Sequence, residues 1–246
     1  MSKPGEQKRY ARPPITEAVL ELRSDRPLTG RDLERCRDKL KRQYEKIEEI
    51  NDIQFIVEEG NKFSHKAAFS GYKMTARNAV DVVMLGPLSL ATVRLAPYQS
   101  WEELVELARA NFETVTKIVG RQNIARIGAR FVNRIDVPNE RLADLELTDF
   151  ILCGVFIPGE GVGAMAAYSF NAHTLREDGI KLAIQSGIAN PVLIDHTSIL
   201  LDIDASFESG IPARIDEMWE RTELLRAAKN SVFESNITDR CRELFQ

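Results

Sequence analysis

The sequence predicts an α+β fold of mainly antiparallel sheets covered by a few long amphipathic helices. Segments with strand-like alternation follow one another with few helices between them, which is typical of antiparallel sheets. Turn residues separate these segments, as at Gly86-Pro87 and Asp178-Gly179. Each half of the chain places consecutive strands ahead of a long helix, which suggests two related halves, although no repeat is detectable residue by residue.

The composition describes an ordinary globular chain with a slight acidic balance. Of its 246 residues, 43% are hydrophobic and 28% are charged, which is enough for one large domain or two small ones. The formal net charge of −4 disfavours nucleic-acid binding and attachment to a membrane through a polybasic surface. Cys36, Cys153 and Cys241 have neither zinc nor redox spacing, so we expect reduced thiols in a cytoplasmic protein.

The sequence shows no sign of a membrane-bound or secreted protein. No apolar run approaches the roughly 20 residues that a transmembrane helix needs. Residues 1–12 are polar, lack the apolar stretch of a signal peptide, and are predicted to be a disordered lead-in. We therefore expect neither secretion nor contact with a membrane.

The first strand is predicted directly after Pro13-Pro14, because two prolines extend the chain and withhold two amide donors. Successive residues of a strand point to opposite faces. Glu17 and Glu21 would lie roughly 13 Å apart by the strand rise, too far to share a proton. One face is mostly apolar and the other mostly charged: Thr16, Ala18, Leu20 and Leu22 against Glu17, Val19, Glu21 and Arg23.

A helix is predicted after this strand, followed by four short strands. Thr29 is a typical N-cap, and Asp32 three residues later completes a capping box. The helical spacing of apolar residues extends this helix as far as Tyr44 and Ile47. The predicted strands are Ile53–Val57, Ser64–Ser70, Val80–Leu85 and Leu88–Leu95.

A second helix and a long strand complete the predicted N-terminal half. Ser100 and Glu103 form a capping box at the start of the helix, and Gly120 is a natural stop. The strand Ile124–Val137 has an apolar face, which Asn133 interrupts with an amide that needs hydrogen-bond partners if it is buried. The opposite face holds Arg126, Arg130, Arg134 and Asp136.

The C-terminal half is predicted as four strands and a long helix behind a linker. The predicted boundaries are a lead-in at 1–12, an N-terminal half at 13–138, a linker at 139–149 and a C-terminal half at 150–246. The strands are Ile151–Ile157, Val162–Thr174, Ile180–Ile188 and Val192–Phe207. The helix follows Pro212, with a buried stripe of Ile215, Met218 or Trp219, Thr222, Leu225, Ala228 and Val232. Asn236 is the predicted cap of a short closing helix.

Three segments of the chain resemble a known protein family. They are Tyr10-x-x-Pro13-Pro14-Ile15-x-Glu17-Ala18-Val19-x-Glu21-x-Arg23, then Arg126 to Ile135, and Phe233-Glu234-x-x-Ile237-Thr238-Asp239 with Leu244-Phe245. Together they resemble the TIGR04255 family of sporadically distributed bacterial proteins. The resemblance spans nearly the whole chain and implies a shared fold and a patchy bacterial distribution. It implies no activity, cofactor or catalytic residue, because the family has none assigned.

The arginine face of the long strand is the first candidate for a binding site. If the first strand is its neighbour, the two glutamates can form cross-strand ion pairs with the three arginines. Exposed pairs of this kind contribute only about 0–1 kcal/mol each. The functional alternative is a groove in which the guanidinium groups bind a phosphate, a nucleotide or an acidic protein segment. The residues concerned are Glu17, Glu21, Arg126, Arg130 and Arg134.

A second candidate site is the pair Asp202 and Asp204. Two residues apart on a strand, they share a face at roughly 7 Å between Cα atoms, a spacing that occurs in Mg²⁺ sites of nucleotidyltransferase-like enzymes. His196 falls on the same face. A metal site needs a third well-placed ligand, and neither a third acid nor a phosphate-binding glycine loop is recognisable. The simpler interpretation is a solvated strand face near a turn.

These observations favour a non-catalytic binding or interaction protein without a cofactor. We expect its partner to be another protein or a small anionic ligand. The family resemblance is compatible with a bacterial accessory system, such as toxin neutralisation or defence. The alternative is a metal-dependent phosphoryl or nucleotidyl enzyme that uses Asp202 and Asp204.

Overall fold

The computed structural model describes residues 10–58, 62–138, 146–155 and 167–246. Within these ranges, residues 52–67 are described by their backbone alone. Within these ranges the chain forms nine strands and four helices. In chain order they are β1 (Ile15–Ser24), α1 (Gly30–Leu40), β2 (Tyr44–Glu58), β3 (Lys62–Ala76), β4 (Asp81–Leu85), β5 (Ser89–Leu95), α2 (Trp101–Val119), β6 (Ile124–Pro138), β7 (Ser169–Leu175), β8 (Lys181–Ala189), β9 (His196–Phe207), α3 (Ile215–Asn236) and α4 (Asp239–Glu243). None of the described helices is long and apolar enough to cross a membrane.

The strands form one nine-stranded sheet in the order β2-β3-β4-β5-β1-β6-β9-β8-β7. Neighbouring strands run antiparallel from β2 to β5 and again from β7 to β9. This confirms the predicted α+β class with an antiparallel sheet. The reason is that most connections are short turns, which can only join strands that run in opposite directions.

The chain divides into two compact units. The first, which we call the β9 unit, comprises Met1–Ala18, Ala96–Tyr98 and Gly128–Gln246. The second, the β5 unit, comprises Val19–Leu95 and Gln99–Ile127.

The predicted boundaries between two halves stay a prediction. Residues 139–145 of the proposed linker and residues 1–9 of the proposed lead-in lie outside the described residues.

The helix α1 begins as predicted and ends earlier. Thr29 is its N-cap, and the predicted capping box with Asp32 is present. The helix stops at Leu40, so the prediction that it extends through Tyr44 and Ile47 is wrong. Tyr44 opens β2, where it pairs with Ala76 of β3, and its hydroxyl is hydrogen-bonded in the core. Pairing with a distant strand overrides the local helical spacing here.

The helix α2 matches its predicted span. Ser100 is the N-cap, and its hydroxyl accepts a hydrogen bond from the Glu103 amide at 3.2 Å. The Glu103 carboxylate accepts a hydrogen bond from Arg94 of β5 instead of completing the predicted capping box at the Ser100 amide, and it thereby ties the first turn of the helix to the sheet. The helix ends at Gly120, which has a positive φ of 77°.

In the β9 unit, the odd-numbered residues of β6 and β9 form the core with α4 and the end of α3. Asn133 is buried on this face and donates to the carbonyl oxygen of Leu201 at 3.0 Å, which supplies the partner that its burial requires. The core cluster holds Ile135, Val137, Phe150, Ile151, Ile199, Leu201, Ile203, Ile237, Cys241 and Phe245.

Several predicted bounds in the β9 unit need correction. The strand predicted from Ile151 is only an isolated bridge to Ile237, and its last two residues lie outside the described ranges. The strand β9 begins at His196 because residues 190–195 form the turn from β8, with the Ile194 side chain 89% exposed. The strand β7 begins at Ser169, and part of its predicted span also lies outside the described residues.

Two predictions for the C-terminal helices are wrong. Ile215 is exposed, so the buried stripe of α3 begins at Met218. Asn236 does not open the closing helix, because it is still part of α3 and its side-chain amide donates to the carbonyl oxygen of Val232. Thr238 is the cap of α4, and its hydroxyl accepts a hydrogen bond from the Cys241 amide.

Candidate binding face

The charged side chains of β6 and β9 in the β9 unit lie on the sheet face opposite α3. Lys229 of α3 lies over the ring of Phe131, which places the helix on the odd-numbered face of β6. The even-numbered side chains of β6 therefore point the other way, as do the even-numbered ones of β9. We call this set, together with Glu17 of β1, whose charge acts on Arg130, the charged face; it consists of Glu17, Arg130, Arg134, Asp136, Asp202 and Asp204.

Arg130 and Asp202 form the central pair of the charged face. The Nε of Arg130 donates to both carboxylate oxygens, at 2.9 and 3.0 Å, and Nη2 donates to Oδ2 at 2.6 Å. The pair joins the neighbouring strands β6 and β9. Its two side chains are 47% and 14% exposed, so the guanidinium group stays open to solvent while the carboxylate holds its orientation.

The surroundings of Arg130 are acidic. Its hydrogen bonds to Asp202 raise the pKa of Arg130 and outweigh the effect of burial, which lowers it. The negative charges of Asp202, Glu17 and Asp204 raise it further. A bound anion would therefore meet three carboxylates around one arginine, and it would have to displace Asp202 to reach the guanidinium group.

Arg134 also has a carboxylate partner. Its Nε donates to Oδ2 of Asp136 at 3.1 Å, two residues along the same strand. The other oxygen of Asp136 accepts a hydrogen bond from the Ser198 hydroxyl of β9 at 2.6 Å. Together these contacts hold the Arg134 side chain along β6 beside β9.

Arg126 belongs to the β5 unit and has its own pair there. Its Nη1 lies 2.5 Å from Oε2 of Glu21, and both side chains are mostly buried. Arg23 contacts the other oxygen of Glu21 at 2.9 Å. The predicted cross-strand pairing between β1 and β6 is therefore present for Glu21.

Each of the three predicted arginines has a carboxylate within ion-pair distance, but only Arg126 takes it from β1. Asp136 and Asp202 were not predicted as partners. The alternation of β9 already placed Asp202 on the polar face, and the missing information was that β9 lies next to β6. Strands separated by some 70 residues of chain cannot be paired from periodicity alone.

Uncharged polar residues continue the charged face across β8 and β7. In the register of these strands, Gln185 lies opposite Asp202, and Asn171 lies opposite Gln185. Both side chains are exposed. A row of polar groups therefore runs from Arg130 to the last strand of the sheet.

Two residues of the proposed metal site, Asp202 and His196, already have other hydrogen-bond partners. Both oxygens of Asp202 accept hydrogen bonds from Arg130, so a metal ion would have to compete with that arginine. The Nδ1 of His196 lies 2.7 Å from the carbonyl oxygen of Ile194. In the part of the chain that the structure describes, no group of three or more His, Cys, Asp or Glu residues could hold a metal ion.

Comparisons with protein-family models and with curated proteins find no match to this chain.

Proposed function

We propose that this chain is a non-catalytic interaction protein that binds a partner protein through the charged face. The observation that carries the proposal is the state of Arg130, which Asp202 holds in one orientation while almost half of it faces solvent. Side chains that are already ordered lose less conformational entropy on binding. Arginine is also enriched among the residues that dominate protein interfaces.

The net negative charge of the charged face favours a protein over a small anion as the partner. Its two arginines are outnumbered by four carboxylates. The surplus of negative charge would repel a phosphate or nucleotide, whereas a protein can pair its own acidic and basic side chains with both the arginines and the carboxylates. The polar row formed by Gln185 and Asn171 offers further hydrogen bonds to such a surface.

The setting that we propose is the bacterial cytoplasm and an accessory system, such as one for toxin neutralisation or defence. Its support is the resemblance to the TIGR04255 family and the absence of paired cysteines. The choice of the binding face does not depend on this setting.

We further propose that the two halves of the chain are related, each covered by amphipathic helices. The order of the strands supports this. In the first half, β1 lies beside β5, the last strand before α2. The strand β6, which ends the predicted N-terminal half (13–138), lies beside β9, the last strand before α3. Thus β1 and β6 each lie beside the strand that precedes the next long helix, which supports a relationship between the two parts of the chain.

The test compares two charge reversals in affinity purification from the native host. Arg130→Glu changes the charged face. Arg176→Glu is the matched control, because Arg176 also forms an exposed two-oxygen pair with an aspartate, Asp178, in the same unit. We expect the wild-type chain and the control to retain the same partner and Arg130→Glu to lose it at least tenfold. Equal retention by all three proteins would contradict the proposal.

A charge swap separates binding from stability. In the double variant Arg130→Asp with Asp202→Arg, the ion pair can form again in the opposite direction. Recovery of the melting temperature without recovery of the partner would support a binding role. Recovery of both would mean that Arg130 acts only through the stability of the sheet.

The metal hypothesis has its own test. Melting temperatures are measured with Mg²⁺ and nucleotides, for the wild-type chain and for Asp202→Ala. An increase that disappears in the variant would favour the enzyme and contradict the interaction proposal.

A further inference from the structure

Lys229 is a buried cation in the middle of α3. The residue is only 8% exposed, and its Nζ lies 3.4 Å from the centroid of the Phe131 ring. Among the residues that the structure describes, no carboxylate forms an ion pair with it. A lysine is almost never buried to this extent without such a partner, which makes this position a candidate functional site.

The neighbours of Lys229 are aromatic, apolar or positively charged. Phe131 of β6 is 1% exposed, and the ring of Tyr98 stands edge-on to it at 5.5 Å. On α3, Leu225 lies one turn before Lys229 and is fully buried. Arg226 is the charged group of the same helix that acts on Lys229, and it has its own partner in Glu223. The ammonium group is thus held by the face of a ring.

This setting favours the neutral amine. Burial and, to a smaller extent, the positive charge of Arg226 together lower the pKa of Lys229 from 10.5 to about 7. At pH 7.5 an exposed lysine is only about 0.1% neutral, whereas an amine with a pKa near 7 is roughly three quarters neutral. The neutral amine is the form that attacks carbonyl groups, and desolvation beside a second cation is a known way to produce it.

We propose that Lys229 is a nucleophilic amine that condenses with a small aldehyde or ketone. The nitrogen attacks the carbonyl carbon to form a C–N bond, and the resulting carbinolamine loses water to leave an imine. The carbonyl oxygen and two protons leave as that water, so the step needs neither an oxidant nor a reductant. The ring of Phe131 would stabilise the protonated imine as it stabilises the ammonium group.

The size and the place of the site restrict this chemistry. Because only 8% of the residue is exposed, we expect the substrate to be a compound of a few heavy atoms. Phe131 and Lys229 lie on the side of β6 opposite the charged face, so the proposal does not depend on the partner protein.

The test is reductive alkylation of the full chain with propanal and sodium cyanoborohydride at pH 7.5, followed by peptide mapping. Lys117 is the internal control, because it is exposed on α2 and pairs with Glu113. We expect alkylation of Lys229 to be at least tenfold faster than that of Lys117. Its rate should level off above pH about 7, whereas the rate at Lys117 should keep rising toward pH 10.

Two variants serve as controls for this labelling experiment. Lys229→Met should lose the label on its peptide and leave the labelling of Lys117 unchanged. Phe131→Leu keeps an apolar side chain but removes the ring, so the midpoint of the Lys229 rate profile should move to lower pH. Labelling of Lys229 no faster than that of Lys117, or only in guanidinium chloride, would overturn the proposal. An unchanged midpoint in Phe131→Leu would overturn the role of the ring.

Discussion

Two buried cations of this chain, Arg94 in the β5 unit and Lys229 in the β9 unit, are equally hidden and very differently surrounded. Arg94 is 7% exposed. Its Nη1 donates to Glu103 at 2.7 Å and to Gln99 at 3.1 Å, and its Nε lies 2.5 Å from Oδ1 of Asp81 in an ion pair without hydrogen-bond geometry. Lys229 has the ring of Phe131 in place of these acceptors.

The difference shows that the partners, more than burial, decide the charge state. Burial lowers the pKa of Arg94, but Glu103 and Asp81 outweigh it and raise that pKa above its ordinary value. Burial also lowers the pKa of Lys229, and no carboxylate among the described residues opposes the shift, so the pKa falls to about 7. One cation is a fixed structural charge, and the other is a group that can lose its proton near neutral pH.

The largest effect is expected where the partnered cation is removed. Arg94→Met should lower the free energy of unfolding by about 3–5 kcal/mol, because Asp81 is left mostly buried without its counter-charge. Urea unfolding at pH 7 measures this loss. The double variant with Asp81→Asn should recover part of it, and a loss below about 1 kcal/mol would contradict the structural role of the pair.

Removal of the unpartnered cation should have the opposite sign. Lys229→Met should raise the free energy of unfolding by about 2–4 kcal/mol at pH 7, since the folded state no longer buries a charge or gives up a proton. The folded pKa of about 7 is lower than the ordinary 10.5. The wild-type chain therefore gains stability as the pH rises from 7 to 10.5, and the advantage of the variant disappears over that window. Unfolding curves at pH 7, 8.5 and 10 check this, and a constant difference would contradict it.

A buried cluster of uncharged polar residues in the β5 unit tests whether hydrogen-bond partners also stabilise the fold where the buried groups carry no charge. Asn111 is fully buried; its amide donates to the Tyr44 hydroxyl at 2.8 Å and to Thr92 at 2.9 Å, and its carbonyl oxygen accepts from Tyr44 at 3.0 Å. Tyr44→Phe should destabilise the fold by about 1–2 kcal/mol, because both bonds to Asn111 are lost in a buried site. Thermal unfolding measures the effect, with the exposed position Lys117→Ala as a control.

The smallest effect is expected at the exposed pair of the charged face. Arg130→Ala should lower the free energy of unfolding by only about 0.2–1 kcal/mol, because water replaces much of what Asp202 provides. Arg176→Ala is the matched control and should behave alike. A much larger loss at Arg130 alone would mean that the charged face is part of the stabilising framework.

Local features were predictable from the sequence, and long-range ones were not. The capping box of Thr29 and Asp32 spans three residues, so its geometry follows from the helix start alone. The end of α1 at Leu40 was not predictable, because Tyr44 leaves the helical pattern to bond with Asn111, 67 residues away. Tertiary contacts outweigh a spacing that is locally consistent with a helix.

The residues of the candidate sites were likewise predictable only as far as their local pattern. Alternation placed Arg130 and Asp202 on polar faces, but their pairing depends on the neighbouring positions of β6 and β9 in the sheet. Lys229 was missed, although it continues the spacing of Thr222 and Leu225 on the buried side of α3. A lysine in such a stripe is normally read as solvated, because most lysines are.

The position of β1 in the sheet has a consequence for synthesis on the ribosome. This strand emerges before the other described elements, yet its neighbours are β5 and β6, which appear some 65 to 110 residues later. Until then both of its edges lack their native partners, and the closure of such distant pairs is slow. During synthesis β1 must therefore avoid pairing with strands of other chains. Pro13-Pro14, directly before β1, hinders such pairing, because proline has no amide hydrogen to donate to another strand.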